Sequence, residues 1–127
     1  MTSTWNEAEL RTIGENDEVV LASKRSNGSL SSPATIWIVR VGDDAFVRSA
    51  YGSTNRWYAR AAAAGGGHIA IGDVSRDVVF EDAPADADHA AIDAAYHAKY
   101  DVKYPKRIVD PVVDDRSHGA TLRLIPA

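Results

Sequence analysis

VRSAYGSTNRWYARAAAAGGGHIAI, residues 47–71, is the stretch around which the rest of the chain is arranged. Its pattern predicts a strand end, a turn of Gly, Ser, Thr and Asn, a short helix and a second strand. The alanines at 61–64 are strong helix formers. The glycines at 65–67 are expected to end the helix, because glycine adopts the left-handed backbone of a C-cap at little cost.

The predicted start of this helix is a candidate anion site. Asn55, Thr54 or Ser53 can cap it by accepting a hydrogen bond from a free backbone N–H group. Arg56 lies in the first turn, where a cation is normally unfavourable, and Arg60 follows one turn later on the same face. Free N–H groups beside two arginines can bind a phosphate. The alternative is that both arginines are solvated or pair with acidic residues elsewhere in the chain.

Length and composition restrict the classes of function. The 127 residues predict a single domain, 1–127, that can bury a core. The absence of cysteine excludes disulfides, thiolate metal sites and a cysteine nucleophile, and it fits a cytoplasmic location. The net charge of −4 argues against a general nucleic-acid surface, and no apolar run is long enough for a membrane span. The histidines show no spacing typical of metal ligands, so we expect no metal site.

Apolar periodicity along the whole chain predicts about six strands and three helices. The strands are expected at residues 18–24, 34–41, 45–50, 68–72, 76–80 and 120–125. Besides the helix at 56–64, we expect one capped by Thr4 and closed by Gly14, and one that begins within 84–88 and stops before Pro105. There is no alternation of strand and helix, so the pattern favours a mainly β, antiparallel barrel with peripheral helices.

Two turns shape the first half of this predicted barrel. Asn27-Gly28 is typical of a tight hairpin turn between the first two strands. A second turn at 42–44 joins the next two strands and is expected to place Trp37 and Arg48 on one face, nearly opposite each other. We therefore expect these two side chains to stack.

The order of these signals resembles the split β-barrel flavin- and deazaflavin-dependent oxidoreductases, and in particular the small deazaflavin-dependent nitroreductase family. The residues that carry the resemblance are the hairpin KRSNGS at 24–29, the strand pair at 35–53, Arg56-Trp57-Tyr58, and the helix end AYHAKY at 95–100. Within that superfamily the chain is most similar to a family of small, uncharacterised domains. The resemblance implies a six-stranded split β-barrel, often a homodimer. It also implies a phosphate-bearing cofactor, coenzyme F-420 or FMN, lying across the strands.

The resemblance also implies which residues hold that cofactor. They lie on the hairpin, at the end of the strand and on the helix that follows it: Lys24, Arg25, Ser29, Arg48, Ser49, Arg56, Trp57 and Arg60. The chain departs from the family at two places. Tyr51 stands in a loop where relatives often carry a lysine, and Ser31-Ser32-Pro33 replaces part of a more basic hairpin. The loss of a lysine weakens a phosphate site, and Arg48 or Arg56 can compensate for it.

A deazaflavin or flavin supplies the hydride itself, so the protein must bind it, orient it and exclude water. A proton donor is useful in such a reaction. Tyr96, Tyr100 and Tyr104 are candidates. By the resemblance, tyrosines of this segment lie beside the substrate, which implies catalytic roles for Tyr100 and Tyr104. The alternative is that these tyrosines pack in the fold, as Trp37 and Trp57 can also do.

Three hypotheses follow. The first is an F-420H₂-dependent oxidoreductase that transfers hydride to a small organic substrate. The second keeps the fold and replaces F-420 with FMN. The third is a non-catalytic barrel that carries a cofactor, or a cofactor-free dimer.

Overall fold

A computed structural model of the chain describes residues 4–52, 54–82 and 87–127. The described strands are β1 (Glu18–Ser23), β2 (Ala34–Trp37), β3 (Val39–Val41), β4 (Asp44–Arg48), β5 (Gly66–Ile71), β6 (Val74–Asp82) and β7 (Thr121–Pro126). The described helices are α1 (Glu7–Glu15), α2 (Arg56–Ala64), α3 (His89–Tyr100), α4 (Lys106–Val109) and α5 (Asp115–His118). A 3₁₀ turn, Asp110–Val112, joins α4 to the segment before α5.

All strand pairs are antiparallel, in the order β2-β1-β5-β6-β7-β4-β3. Only Ile38 separates β2 from β3, so the two edges of the sheet belong to one continuous piece of chain. The sheet therefore curls into a nearly closed barrel that leaves little free edge. This confirms the predicted fold class, a mainly β antiparallel barrel with peripheral helices. The strand predicted at 34–41 is broken at Ile38, and for this reason seven strands are observed.

The break at Ile38 is held by the end of α3. The Ile38 N–H donates to the Tyr100 hydroxyl at 3.1 Å. The Ile38 carbonyl accepts from Lys99 Nζ at 2.7 Å and lies 3.0 Å from the Tyr100 hydroxyl. Lys99 Nζ also donates to the Ile13 carbonyl at 2.9 Å, which ties α1 to the same point. Two side chains of α3 thus replace the backbone partners that Ile38 loses when it leaves the sheet.

Tyr100→Phe is expected to lower the free energy of unfolding by about 1–3 kcal/mol, because it leaves the buried Ile38 N–H without its acceptor. The shift in the midpoint of urea unfolding measures this effect. Tyr104→Phe is the matched control, since among the described residues the Tyr104 hydroxyl makes no hydrogen bond. Equal midpoints for the two variants would show that the Tyr100 hydroxyl does not hold the break.

The apolar side chains form two clusters. One fills the barrel, where Leu21, Ile69 and Leu122 are buried. Trp5 closes one end of it and donates from Nε1 to the Leu124 carbonyl at 2.9 Å. The other cluster lies between α3 and the β3–β4 hairpin and includes Val39, Phe46, Ile92, Tyr96 and Tyr100. Because α3 packs against β3, its aromatic residues reach the broken strand.

Several helix boundaries differ from those predicted. α1 is capped by Asn6 and not by Thr4, since the Asn6 side chain accepts from the Glu9 N–H at 2.8 Å and Glu9 accepts from the Asn6 N–H at 3.0 Å. α1 also continues through Gly14 to Glu15. α3 begins after its N-cap, Asp88; the predicted start at 84–86 lies outside the described residues. Residues 106–115, where the sequence predicts no regular element, contain α4 and the 3₁₀ turn, and α5 begins at Asp115.

Candidate functional site

Helix α2 divides the candidate site into two clefts. Its C-terminus follows the prediction, because Gly65 adopts a left-handed φ of 71° and donates to the Ala61 carbonyl at 3.0 Å. Its N-terminus lies at Arg56, as predicted, but the predicted side-chain cap by Asn55 is wrong. Asn55 occupies the N-cap position, but its side-chain oxygen accepts no bond from the first turn, and its amide nitrogen donates instead to Ser49 Oγ at 2.8 Å and to the Ala50 carbonyl at 2.7 Å. The predicted cap at Ser53 lies outside the described residues.

A basic cleft of about 780 Å³ lies between the β1–β2 hairpin and the C-terminal half of α2. It is lined by residues 23–26, Ser31 and Ser32, and by Arg60, Ala63 and Ala64. Three of the predicted cofactor ligands, Lys24, Arg25 and Arg60, therefore share one cavity, although 35 residues separate Arg25 from Arg60. All three side chains are exposed, and none forms an ion pair with any residue in 4–52, 54–82 or 87–127. The cleft is positive in a chain whose net charge is negative.

The hairpin beside the basic cleft is closed by its own hydrogen bonds. Arg25 N–H donates to the Ser29 carbonyl at 2.7 Å, and Gly28, at a left-handed φ of 87°, donates to the Arg25 carbonyl at 2.9 Å. Ser29 donates from its hydroxyl to Asn27 Oδ1 at 2.7 Å. Ser29 does not line the basic cleft, so the structure brings together the two hairpin cations but not the hairpin hydroxyl.

An aromatic cleft of about 420 Å³ lies at the other end of α2. It is lined by residues 34–37, Arg48, Ala50, Tyr51, Asn55, Trp57, Ile108 and Val112. Trp37 and Trp57 stand in its walls, and both are half-buried. Of the predicted ligands, Arg48 and Trp57 line this cleft; Arg56 is exposed and lines neither cleft.

The predicted stack of Trp37 on Arg48 is wrong. The Trp37 ring stacks instead on Tyr100, with ring centres 4.0 Å apart and planes 6° apart. The Arg48 guanidinium lies over the Tyr96 ring at 5.6 Å. The break at Ile38 interrupts the pleat that would have paired the two side chains, and α3 supplies a ring to each of them.

Arg48 is buried, with 3% of its surface exposed, and each of its three guanidinium nitrogens donates to a protein group. Nε donates to Thr121 Oγ1 at 3.0 Å, and Nη1 donates to the Val112 carbonyl at 2.9 Å and to Asp93. Nη2 donates to His89 Nδ1 at 3.1 Å. Arg48 thus joins β4, β7 and α3 at the edge of the aromatic cleft. Its neighbour Ser49 is also buried and donates to a carbonyl within the loop that follows.

Behind Arg48 lies a polar cluster that the sequence reasoning missed. His118 Nε2 lies 3.1 Å from both carboxylate oxygens of Asp93, and the His89 and His118 rings stack at 4.9 Å. Burial, with the charge of Arg48, lowers the pKa of His89, so the neutral ring that accepts from Arg48 is favoured. The i,i+4 spacing of His89 and Asp93 on one helix was a usable signal. Across the described ranges, no group of three His, Cys, Asp or Glu side chains could hold a metal ion.

The two predicted catalytic tyrosines lie in one aromatic stack with Trp37. Tyr104 is half-buried, with its ring centre 4.9 Å from that of Trp37. Tyr100 is fully buried, and its hydroxyl contacts the carbonyls of Asp17 and Ile38. Burial raises the pKa of Tyr100, as it does that of Tyr96, so both hydroxyls stay protonated. Neither predicted tyrosine lines the aromatic cleft, but both back its Trp37 wall.

The same fold occurs in solved structures of low sequence identity. HutZ, the heme storage protein from Vibrio cholerae, is 15% identical, with a TM-score of 0.68 over 95% of this chain and 89% of that one. An F-420 reductase is 12% identical, with a TM-score of 0.60 over 96% and 94% of the two chains. An FAD-binding protein from Mesorhizobium loti is 16% identical, with a TM-score of 0.57 over 100% and 94%. These similarities establish the split β-barrel fold.

Sequence comparisons place the chain in a family. Comparison with curated proteins finds no match. None of the described helices is long and apolar enough to cross a membrane. A family model described as "Uncharacterized protein conserved in bacteria (DUF2255)" matches residues 9–124, nearly the whole chain, and the protein therefore belongs to this family.

Proposed function

We propose that this protein binds coenzyme F-420 and acts as an F-420H₂-dependent oxidoreductase on a small organic substrate. The observation that carries the proposal is the pair of clefts on either side of α2, one lined by cations and the other by aromatic rings. F-420 has the same division, since it joins a planar ring to a phosphate-bearing, acidic tail. The similarity of the fold to an F-420 reductase supports this choice.

The basic cleft is proposed to take the anionic tail. Lys24, Arg25 and Arg60 contribute three cations to one cavity without an acidic partner in the described part of the chain. Arginine binds phosphate oxygens through two parallel N–H groups, and such charge-assisted bonds are about twice as strong as neutral ones. The alternative, a solvated hairpin tip, accounts for Lys24 and Arg25 but not for the approach of Arg60 from α2.

The aromatic cleft is proposed to take the ring. Its volume of about 420 Å³ lies within the range of small-molecule sites, and its walls are mostly apolar with a few polar groups. Trp57 provides a wall on α2, and Trp37 provides one on β2. When bound and reduced, the deazaflavin supplies a hydride. The protein excludes water from the ring, and Tyr104, half-buried behind the Trp37 wall, is proposed to provide a proton to the reduced product. The predicted role of Tyr100 as proton donor is not retained, because its buried hydroxyl is bonded to backbone groups of Ile38 and Asp17.

Titration of the purified protein with oxidised F-420, followed by fluorescence polarisation, tests the proposal. We expect saturable binding at micromolar concentrations and oxidation of F-420H₂ by at least one acceptor among quinones, nitroaromatics and enones. Absence of binding at tens of micromolar would contradict it. Binding without turnover on any acceptor would favour a non-catalytic cofactor carrier.

Arg60→Ala is expected to weaken F-420 binding by about five-fold or more, because it removes a charged hydrogen-bond donor worth about 1 kcal/mol or more. The measurement is the same polarisation titration. Arg11→Ala is the matched control, since Arg11 is an exposed arginine on α1 that lines neither cleft. Arg56→Ala tests whether the phosphate binds at the N-terminus of α2 and not in the basic cleft. A larger loss for Arg56→Ala than for Arg60→Ala would move the phosphate to the N-terminus of α2.

FMN is the second candidate, and the similarity of the fold to an FAD-binding protein supports a flavin as the alternative to F-420. A yellow preparation with a flavin absorbance spectrum, together with tighter binding of FMN than of F-420, would select it.

We further propose that the protein is a homodimer in the cytoplasm. Light scattering in solution tests the dimer, and a monomeric mass with cofactor bound would contradict it.

A further inference from the structure

We propose that Tyr51 is a specificity-determining residue of the aromatic cleft, and that its ring forms a third aromatic wall which selects a planar, conjugated ligand. Tyr51 lines the cleft together with Trp37 and Trp57. The identity of the natural ligand rests on the proposed function, but the selection for a planar ring does not.

Tyr51 has a φ of 65° and is the one non-glycine residue with positive φ among the residues that the structure describes. This conformation is disfavoured by roughly one order of magnitude in population for a residue with a bulky side chain. Glycine would adopt it without cost. Strained residues of this kind persist where the surroundings hold them, and they are concentrated at binding sites.

The loop that holds Tyr51 does not use its side chain. The Tyr51 N–H donates to the Pro111 carbonyl at 3.3 Å, and the Gly52 N–H donates to the Ser49 carbonyl at 3.2 Å. Ser49 donates from Oγ to the Gly52 carbonyl, and Asn55 closes the loop through Ser49 Oγ and the Ala50 carbonyl. Each of these bonds would form with glycine at position 51. The loop therefore accounts for the backbone conformation but not for the tyrosine.

The ring of Tyr51 is also left largely in water, with 59% of the residue exposed. A large aromatic group that is both strained and exposed contributes little to the free protein. The Arg116 guanidinium lies over the ring, 5.3 Å from its centre, and Arg116 does not line the cleft. Arg116 is itself held by Asp114 at 2.7 Å. The cation lies over the face of the ring, and the opposite face can stack on a planar partner.

The contacts of Tyr51 thus point to a ligand that stacks on it inside the cleft. A flat, conjugated ring system fits a space with aromatic residues on three elements, namely β2, α2 and the loop before α2. A flexible aliphatic ligand gains no stacking there. The hydroxyl of Tyr51 is not required for this role, but its ring is.

The test compares Tyr51→Gly and Tyr51→Asn, which remove the ring and tolerate the left-handed backbone, with Tyr51→Phe, which keeps the ring. The probe is anthracene-2-sulfonate, a planar aromatic anion that absorbs where tryptophan emits, so Trp37 and Trp57 report its presence by energy transfer. We expect Tyr51→Gly and Tyr51→Asn to weaken probe binding by about three- to ten-fold, the size of one aromatic stacking contact. Tyr51→Phe should stay within about two-fold of wild type on the same scale.

Two further measurements make the result decisive. The melting temperature of Tyr51→Gly should not fall, because the substitution relieves backbone strain. Val102→Asn, at an exposed position, is the control that should leave probe binding unchanged. Equal probe affinity for wild type, Tyr51→Gly and Tyr51→Asn would overturn the inference. Failure of the wild type to bind F-420 or FMN, with the probe series as expected, would overturn the proposed function and leave the inference standing.

Discussion

Arg48→Ala is expected to lower the free energy of unfolding by about 3–5 kcal/mol, the cost of removing one partner of a buried ion pair. The Arg48 side chain is fully buried, and its loss leaves Asp93 with His118 as its remaining ion-pair partner among the described residues. It also leaves the Val112 carbonyl and Thr121 Oγ1 without their donor. Urea unfolding followed by circular dichroism measures the change, and an unchanged slope with a lower midpoint would assign it to the folded state.

Arg40→Ala is the matched control for Arg48→Ala. Arg40 lies on the neighbouring strand β3, with 30% of its side chain exposed, and it pairs with Glu7 at 3.5 Å. A surface pair of this kind contributes about 0–1 kcal/mol. The double variant with Asp93→Asn should recover part of the loss, because the two side chains share one interaction. An Arg48→Ala protein as stable as Arg40→Ala would show that the buried cluster does not support the fold.

The stability of Arg48 variants also bears on its predicted cofactor role. Arg48 lines the aromatic cleft, yet its donors are occupied by protein acceptors. The cofactor affinity of the Arg48→Ala variant must therefore be measured well below the melting temperature of that variant. A loss of affinity under that condition would support a direct contact with the cofactor.

Gly67→Ala is expected to destabilise the barrel by about 3 kcal/mol or more, at or beyond the upper end of the usual overpacking cost. A Cβ at Gly67 would lie 2.0 Å from the Ala22 carbonyl oxygen, a distance far shorter than any non-bonded contact between carbon and oxygen. Ala22 and Gly67 lie on the paired strands β1 and β5. The added Cβ would therefore meet a backbone oxygen, which cannot move aside as a side chain can. Relief requires the strands to separate and their ladder of hydrogen bonds to weaken.

Gly119→Ala is the control for Gly67→Ala. A Cβ at Gly119 meets no atom within 4 Å, and its φ of −75° suits any L-residue. We expect Gly119→Ala to be neutral or to stabilise by about 0.4–1 kcal/mol, through the lower entropy of the unfolded chain. Thermal unfolding of the two variants provides the comparison. Similar melting temperatures would mean that β1 and β5 have room for a side chain at Gly67.

The three glycines at 65–67 show how far sequence reasoning reaches. Their prediction as a helix end is confirmed for Gly65, because a left-handed C-cap is a local property that follows from the residue type. The need for Gly67 was not predictable, since it arises from the approach of Ala22, which is distant in the sequence. Periodicity likewise predicted a strand at 34–41, but the break at Ile38 depends on partners supplied by α3.

The candidate site divides in the same way. Lys24, Arg25 and Arg60 were selected by residue type and resemblance, and the structure brings them to one cleft. The polar cluster behind Arg48 was not predicted, because its members are distant in the sequence: Arg48 and His89 are 41 residues apart, and His118 and Asp93 are 25 residues apart. The left-handed backbone of Tyr51 also escaped prediction, since tyrosine gives no local signal for it.

Local chemistry in the sequence was enough to determine the antiparallel barrel, the central helix and the glycine that ends it, because alternation, helix propensity and capping act over a few residues. Tertiary structure alone decided which cations remain free and which is buried: Arg60 faces a cleft, while Arg48 is satisfied by Asp93, His89 and Thr121. The physical reason is that burial and pairing of a charge depend on groups brought together by folding, and these groups lie far apart along the chain.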